Sequence, residues 1–169
     1  MIILGLNCFH GDASAALFRD GELIAAVEEE RFNRFKHSGG FPSNAVRWCL
    51  YKGGVDPREI DCVAIPRKSN AHILRKLIWA ARLPVSSASR FKALKNFISL
   101  KEQLAFCFGL KPNDIKADFK FVEHHLAHMA SSFYTSSYEN AAVVSIDGMG
   151  DHASMVWGVG QDNKLIIKD

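Results

Sequence analysis

Apolar runs near the start of the chain predict three consecutive β-strands. Residues 2–8 form a continuous apolar segment typical of a buried strand, and residues 13–18 and 22–28 add two more. Asp20 and Gly21 separate the last two segments. Because Asp-Gly between apolar segments is a strong hairpin signal, we expect the second and third strands to form a hairpin.

Periodicity along the middle of the chain predicts helices and strands in alternation. Ser43 is expected to cap a helix over 44–52 that ends at Gly53 and Gly54. The other predicted elements are a strand over 60–66, a helix from Asn70 that Pro84 ends, a helical region from the serines at 86–89 to Gly109, a strand over 118–122 and a helix over 125–134.

The end of the chain returns to strands. Residues 141–147 form another apolar run, and residues 153–159 and 164–168 flank Asp162 and Asn163 as a second hairpin. Strands mixed with helices in this order predict an α/β protein.

The two strand clusters resemble each other in sequence. Similar residues recur at a spacing of 140, and of 142 beyond the hairpin turn: Leu6 and Ile146, Asn7 and Asp147, Ala13 and Ala153, Ser14 and Ser154, Asp20 and Asp162, Leu23 and Leu165, Ile24 and Ile166. The period is too long for a solenoid. It predicts two copies of one domain packed face to face, with a ligand between their polar turns.

In each copy a strand leads into a turn of small and polar residues, HGDAS in the first and DGMGD in the second. Backbone N–H groups in such turns bind phosphate oxygens, and glycine permits the close approach. The predicted nucleotide contacts are Gly11, Ser14, Gly148 and Gly150.

The second copy ends after its third strand, which predicts that the chain is the first one and a half lobes of a longer bilobal protein. The expected domains are a first lobe over 1–123, a connecting helix over 124–140 and an incomplete second lobe over 141–169. The second sheet should then have an exposed edge and uncovered apolar surface.

Composition excludes several classes of protein. Hydrophobic residues make up 48% and charged residues 23% of 169 residues, which excludes an extended disordered chain and a coiled coil. No apolar run approaches the ~20 residues of a membrane span, and the N-terminus has no signal-peptide pattern. We therefore expect a cytoplasmic protein with no membrane partner, whose four scattered cysteines are buried free thiols.

Charge is unevenly distributed along the chain. Nine basic and no acidic residues lie between Arg67 and Lys101, which leaves 12 basic and 18 acidic residues elsewhere. This basic stretch is either a surface for a polyanion or the solvated face of two helices. Because no aromatic stacking pattern or nucleic-acid motif accompanies it, we do not expect a nucleic-acid partner.

Three of the seven histidines lie within five residues of the chain. His124 and His128 are four residues apart and share one face of the predicted helix. Imidazole is a common ligand of iron, zinc, copper and nickel, and a carboxylate is the usual third ligand. Asp147 ends the next strand and is the best candidate. The alternative is that these histidines are only solvated or hydrogen-bonded.

The first polar turn also offers catalytic groups. His10 could act as a general base on an attacking hydroxyl, with Asp12 beside it in the same turn, or could only hydrogen-bond the turn. Lys36 lies in a basic loop that could bind a phosphate, although a solvated loop is the commoner state of such runs.

Four blocks of sequence resemble the N-terminal region of the carbamoyltransferase family. They are ILGLNCFHGDASAALFRDGELIAAVEEERF, KHSGGFP, VEHHLAHMASSFY and VSIDGMGD, and they span residues 3 to 151. The resemblance implies an actin-like, RNase H-like fold of the sugar-kinase, heat-shock and actin superfamily. It implies O-carbamoyl transfer from carbamoyl adenylate, made from carbamoyl phosphate and ATP in a separate YrdC-like domain, to a hydroxyl of a small-molecule acceptor.

The resemblance also assigns roles to residues. His124, His128 and Asp147 resemble ligands of a divalent metal, most simply iron, that holds the phosphate of the intermediate. His10 resembles the residue beside the transferred group, and Gly148 and Gly150 the phosphate-facing turn. A further aspartate ligand, the C-terminal half and the YrdC-like domain are expected from outside this sequence.

Two other functions stay open. The chain is also similar to the metal-binding proteins that make threonylcarbamoyladenosine in tRNA, although HGDAS and KHSGGFP match the small-molecule enzymes better. A non-enzymatic relic that binds a metal or a nucleotide is the third hypothesis, favoured by the short length. The acceptor cannot be inferred from these residues.

Overall fold

Two β-sheets organise the part of the chain that the computed structural model describes, which is residues 1–9, 11–67, 100–150 and 153–168. The strands are β1 Ile2–Asn7, β2 Ser14–Arg19, β3 Glu22–Glu28, β4 Cys62–Ile65, β5 Asp118–Phe121, β6 Asn140–Gly150, β7 Ala153–Gln161 and β8 Lys164–Ile167. The helices are α1 Glu30–Asn33, α2 Ser43–Gly53, α3 Leu100–Cys107 and α4 His124–Phe133, with 3₁₀ turns at Pro57–Glu59 and Pro112–Asp114.

The first sheet has the strand order β3-β2-β1-β4-β5. β1 pairs antiparallel with β2 and parallel with β4, so the sheet is mixed. Asp20 and Gly21 have φ values of 52° and 91°, the left-handed backbone that a tight hairpin turn between β2 and β3 requires. The predicted mixed α/β class is confirmed. The helix predicted from Asn70 lies outside the described residues. Of the helical region predicted from 86–89 to Gly109, residues 100–109 are described, and α3 agrees with the prediction there.

The start of α2 differs from the expectation. Pro42, and not Ser43, occupies the N-cap position, and no cap side chain bonds the helix there. The buried carboxylate of Glu29 performs that task instead, because it accepts hydrogen bonds from the backbone N–H groups of Asn44 (3.3 Å) and Ala45 (2.8 Å). An anion at a helix N-terminus also interacts favourably with the helix dipole. A cap supplied from 14 residues upstream has no local sequence signal.

The second sheet consists of β6, β7 and β8 in that order, with α4 packed on one face. Met129 and Phe133 of α4 are buried against this face. A Cβ atom at Gly160 would collide with the ring of Phe133, so a residue without a side chain lets the helix approach β7 closely.

Strand register confirms the internal repeat. Leu4 pairs with Leu17 between β1 and β2, and Val144 pairs with Trp157 between β6 and β7, at the same spacing of 140. The next pairs on this face are related in the same way: Leu6 with Ala15, and Ile146 with Met155. The two copies therefore share backbone pairing as well as residue type.

Burial of these equivalent positions differs sharply. In the first sheet Leu4, Leu6, Ala15 and Leu17 belong to a core that includes α2. In the second sheet the equivalent side chains are exposed: Val144 by 55%, Ile146 by 78%, Met155 by 58% and Trp157 by 42%. The uncovered apolar surface expected of the second sheet is confirmed.

The described chain forms two units. One holds the described parts of residues 1–65 and 100–120, and the other holds residues 66–67 and 121–168, so α4 belongs with the second sheet. The bounds of 1–123, 124–140 and 141–169 remain a prediction about lobes. No helix among the described residues is both long and apolar enough to cross a membrane.

The four cysteines form no disulfide, and three of them are buried. Burial raises the pKa of the Cys49 thiol to about 11, and its sulfur donates to the carbonyl of Ala15. The expectation of buried apolar thiols is confirmed for Cys8, Cys49 and Cys107, whereas Cys62 is partly exposed.

Candidate functional site

The side chains of His124, His128 and Asp147 lie together in the second unit, as the sequence predicted. His124 Nε2 is 2.7 Å from Asp147 Oδ2 and 3.0 Å from His128 Nε2. His128 Nε2 is 4.0 Å from the same carboxylate oxygen. One potential ligand atom of each residue falls within 4.8 Å of the others.

These distances suit a shared metal ion. Neighbouring ligands about 2.1 Å from a metal lie roughly 3 Å apart in octahedral geometry, so little side-chain rotation is needed. Nδ1 of His124 is 3.4 Å from the backbone carbonyl of Pro66, which leaves Nε2 directed at Asp147. Metal-ligating histidines commonly place the second ring nitrogen on such a carbonyl. The donor set therefore fits a divalent cation, and metal binding itself stays a prediction.

Electrostatics favour the protonation state that binds metal in two of the three residues, Asp147 and His128. The hydrogen bond from His124, followed by that from the Gly148 amide, holds the pKa of Asp147 below its ordinary value. Burial, and then the neighbouring His124, lowers the pKa of His128. A carboxylate and a neutral imidazole are the states that bind metal, so less proton displacement is needed on binding.

The middle histidine of the cluster is a residue whose role sequence reasoning missed. His125 is fully buried, and its Nδ1 lies 2.8 Å from the hydroxyl of Ser145 while its Nε2 lies 2.9 Å from the carbonyl of Ala153. Since a carbonyl only accepts, Nε2 carries the proton and Nδ1 accepts from Ser145. His125 thereby fastens α4 to β6 and β7. The signal available in the sequence was its position one residue after His124, which turns it away from that side chain by about 100° around the helix.

The backbone around Asp147 is not a simple turn. β6 continues to Gly150, and its register with β7 shifts between Ile146 and Gly150. The predicted turn at 147–151 is therefore wrong for residues 147–150, because an irregular strand replaces it. The Gly148 amide donates to Asp147 Oδ1 at 2.6 Å, and the phosphate contacts of Gly148 and Gly150 stay predictions.

The first polar turn contains a hydrogen-bonded Asp–His pair that the sequence analysis did not assign. Asp12 Oδ1 lies 2.9 Å from Nδ1 of His37, which belongs to the KHSGGFP loop. The loop is attached to the turn by backbone hydrogen bonds from Phe9 to Gly40 and from Ala13 to Ser38, both 2.9 Å. The hydrogen bond with Asp12 raises the pKa of His37.

Other predicted residues have simpler surroundings. Gly11 and Lys36 are exposed, and Ser14 is the partly buried first residue of β2, paired with Asn7. His10 lies outside the described residues. Their roles as nucleotide contacts and as a base stay predictions.

Sequence comparisons find relatives along almost the whole chain. Nodulation protein NolNO of Sinorhizobium fredii is 36% identical over 162 residues, which cover 94% of this chain and 22% of that protein. An uncharacterized protein of Synechocystis is 34% identical over 96% of this chain and 28% of its own length. The chain thus spans about a quarter of the length of these curated relatives.

Solved structures support the fold alone. YeaZ from Pseudomonas aeruginosa superposes with a TM-score of 0.51 at 18% identity, covering 99% of this chain and 64% of that chain. A protein described as similar to peptidase YEAZ from the same organism gives a TM-score of 0.52 at 19% identity. The sequence model of the family described as Carbamoyltransferase N-terminus matches residues 2–169, and the chain therefore belongs to this family.

Proposed function

We propose that this chain is part of an O-carbamoyltransferase that moves a carbamoyl group from carbamoyl adenylate to a hydroxyl of a small-molecule acceptor. Membership of the carbamoyltransferase N-terminus family supports the reaction class. The fold likeness to YeaZ and the repeated sheet register support the actin-like fold that the sequence resemblance implies.

The convergence of His124, His128 and Asp147 carries the proposal. These residues would hold a divalent metal, iron by resemblance, whose positive charge would stabilise the adenylate phosphate as a leaving group. His125 fixes α4, and so the helix face that bears both candidate ligands.

Two further tasks fall on the polar turns. The amide of Gly148 would bind the phosphate once it exchanges its present hydrogen bond to Asp147 for the ligand. A histidine must accept the proton of the attacking hydroxyl. General-base catalysis of this kind raises a reaction rate by about 100-fold or more. His10 is the candidate from the sequence.

The chain spans only about a quarter of the length of its relatives, so we propose only part of the reaction for it. Formation of carbamoyl adenylate from carbamoyl phosphate and ATP is assigned to a YrdC-like domain elsewhere in the full enzyme. Binding of the acceptor is likewise assigned in part to residues outside this sequence.

Release of AMP tests the proposal directly. The isolated chain is expected to be inactive, so the test uses a longer enzyme that contains it. That enzyme, loaded with Fe²⁺, is given synthetic carbamoyl adenylate with glycerol as a hydroxyl acceptor, and AMP and the glycerol carbamate are measured by chromatography. We expect both products above the buffer rate, and their loss in His124→Ala. Asp162→Asn, an exposed change in the β7–β8 turn, is the matched control.

Two outcomes would count against this function. A longer enzyme that contains this chain, binds metal and yields neither product would favour the non-enzymatic relic. Product formation that survives both His124→Ala and metal removal would show that the candidate centre does not take part.

A further inference from the structure

Glu123 lies immediately before the helix that carries both candidate histidine ligands. It is the N-cap residue of α4, with an extended backbone of φ −62° and ψ 141°. Its Oε2 accepts a hydrogen bond from the backbone N–H of Leu126 at 2.7 Å, and its carbonyl accepts one from the N–H of Ala127 at 3.0 Å. The carboxylate is therefore held at the first turn of α4.

Glutamate is an unusual residue for an N-cap. Serine, threonine, aspartate and asparagine are preferred at this position, because their side-chain oxygens accept from the free amides of the first turn. Serine, threonine or asparagine would do so without a charge. Local preference thus does not explain a glutamate here, and departures from a local rule are expected where function requires them.

The position of His124 gives a reason for a negative charge. His124 is the first residue of α4, and its Nε2 is directed at Asp147 and His128 in the candidate metal centre. The N-terminal end of a helix carries a partial positive charge, which favours anions and disfavours cations near the first turn. The helix that holds His124 would therefore repel a divalent cation on that residue, unless an anion offsets this end of the helix.

Glu123 supplies such an anion without being one of the candidate ligands. Among the described residues, the groups that come within 4.8 Å of one another are His124, His128 and Asp147, and Glu123 does not belong to this set. Its Oε2 is instead directed at the amide of Leu126. Its charge still reaches the centre, since burial is the largest cause that lowers the pKa of His128 and the charge of Glu123 acts in the opposite direction.

The surroundings of Glu123 make this charge effective. The residue is half-buried, and a partly buried charge is screened less by salt than an exposed one. His125, in the same turn of α4, is fixed by its hydrogen bonds with Ser145 and Ala153. The carboxylate of Glu123 and the ring of His124 are thus both carried by a turn that is attached to the second sheet.

We propose that Glu123 strengthens the binding of a divalent cation at this centre without ligating it, by offsetting the positive end of α4. This inference rests on the proposed function, because it requires that His124, His128 and Asp147 hold a metal. Glu123 acts on the cation through the end of the helix, and its hydrogen bond with Leu126 is kept when the metal binds.

Calorimetric titration of the full chain with Co²⁺ tests the inference. Glu123→Gln keeps the shape of the side chain and an oxygen that accepts from Leu126, but removes the charge. Glu123→Asp keeps the charge and is a preferred N-cap. We expect Glu123→Gln to weaken Co²⁺ binding about 10-fold and Glu123→Asp to stay within about 3-fold of wild type. Glu139→Gln, which removes an exposed acidic group just before β6, is the matched control.

Further readouts distinguish a charge effect from a structural role. Salt screens charges, so the difference in affinity between wild type and Glu123→Gln should narrow from about 0.05 M to about 0.5 M NaCl. The visible absorption spectrum of bound Co²⁺ depends on its ligands, and we expect the same spectrum for both proteins. Urea unfolding of the two metal-free proteins should give similar midpoints, because the cap on Leu126 is kept.

The outcomes separate the metal centre from the role of Glu123. A wild type that does not bind Co²⁺ overturns the candidate centre, and the role of Glu123 with it. Where wild type binds, this inference alone is overturned by an unchanged affinity in Glu123→Gln or by an equal loss in Glu123→Asp. A changed Co²⁺ spectrum in Glu123→Gln would identify Glu123 as a ligand, and a loss of affinity that salt does not narrow would show a structural role; each result overturns the charge effect.

Discussion

Leu17 and Trp157 occupy equivalent positions in the two sheets, yet Leu17 is fully buried and 42% of Trp157 is exposed. Gly53 at the end of α2 lies directly against Leu17. No described helix covers Trp157 in the same way, since α4 packs on the other face of that sheet.

Alanine substitutions at these two positions should therefore lower the free energy of unfolding by different amounts. Leu17→Ala creates a cavity in a packed core and should lower the free energy of unfolding by about 2–5 kcal/mol. Trp157→Ala should lower it by less than that, because 42% of the side chain is already exposed, and should weaken binding of a hydrophobic dye. Urea unfolding measures both, and equal losses in the two variants would show that the second sheet is covered in solution.

The buried His125 predicts a local stability effect. Ser145→Ala removes the hydroxyl that donates to Nδ1 and leaves that nitrogen without its partner, at a cost of about 1–3 kcal/mol. Ser131→Ala, on the exposed part of the same helix, is the matched control and should cost roughly 0.5 kcal/mol or less. Similar unfolding midpoints for the two variants would argue against His125 as the attachment of α4.

The raised pKa of His37 predicts a pH-dependent contribution to stability. The hydrogen bond with Asp12 raises that pKa in the folded state, so the stabilisation is fully present below the unfolded value of about 6.5 and is lost as the pH rises through the folded value. Wild type should exceed Asp12→Asn in unfolding free energy at pH ~5.5, and the gap should narrow toward pH ~8.5. A gap that widens with rising pH would contradict the assignment.

Local patterns predicted most of the described elements because their signals lie within a few residues. The Asp20-Gly21 turn and the hairpin at Asp162 follow from residue types that tolerate a left-handed backbone. The repeat could also be found from sequence, since side chains of similar type occupy equivalent strand positions.

Long-range contacts set the limit of that reasoning. The cap of α2 by Glu29 and the pairing of Asp12 with His37 join residues whose separation gives no periodic signal. The candidate metal ligands could be predicted from the sequence, because His124 and His128 are neighbours on one helix and the repeat pointed to Asp147. The role of His125 could not be predicted, because a histidine is buried only where partners such as Ser145 satisfy its ring nitrogens, and those partners are not visible in the local sequence.

Metal titration of the purified chain tests the central claim most directly, that His124, His128 and Asp147 form one cation site. We predict saturable binding of a single Fe²⁺ or Co²⁺ per chain by anaerobic calorimetry, with affinity lost in His124→Ala, His128→Ala and Asp147→Asn and kept in Asp162→Asn. Failure of wild type to bind either ion, or binding that survives loss of all three residues in a folded chain, would contradict the account.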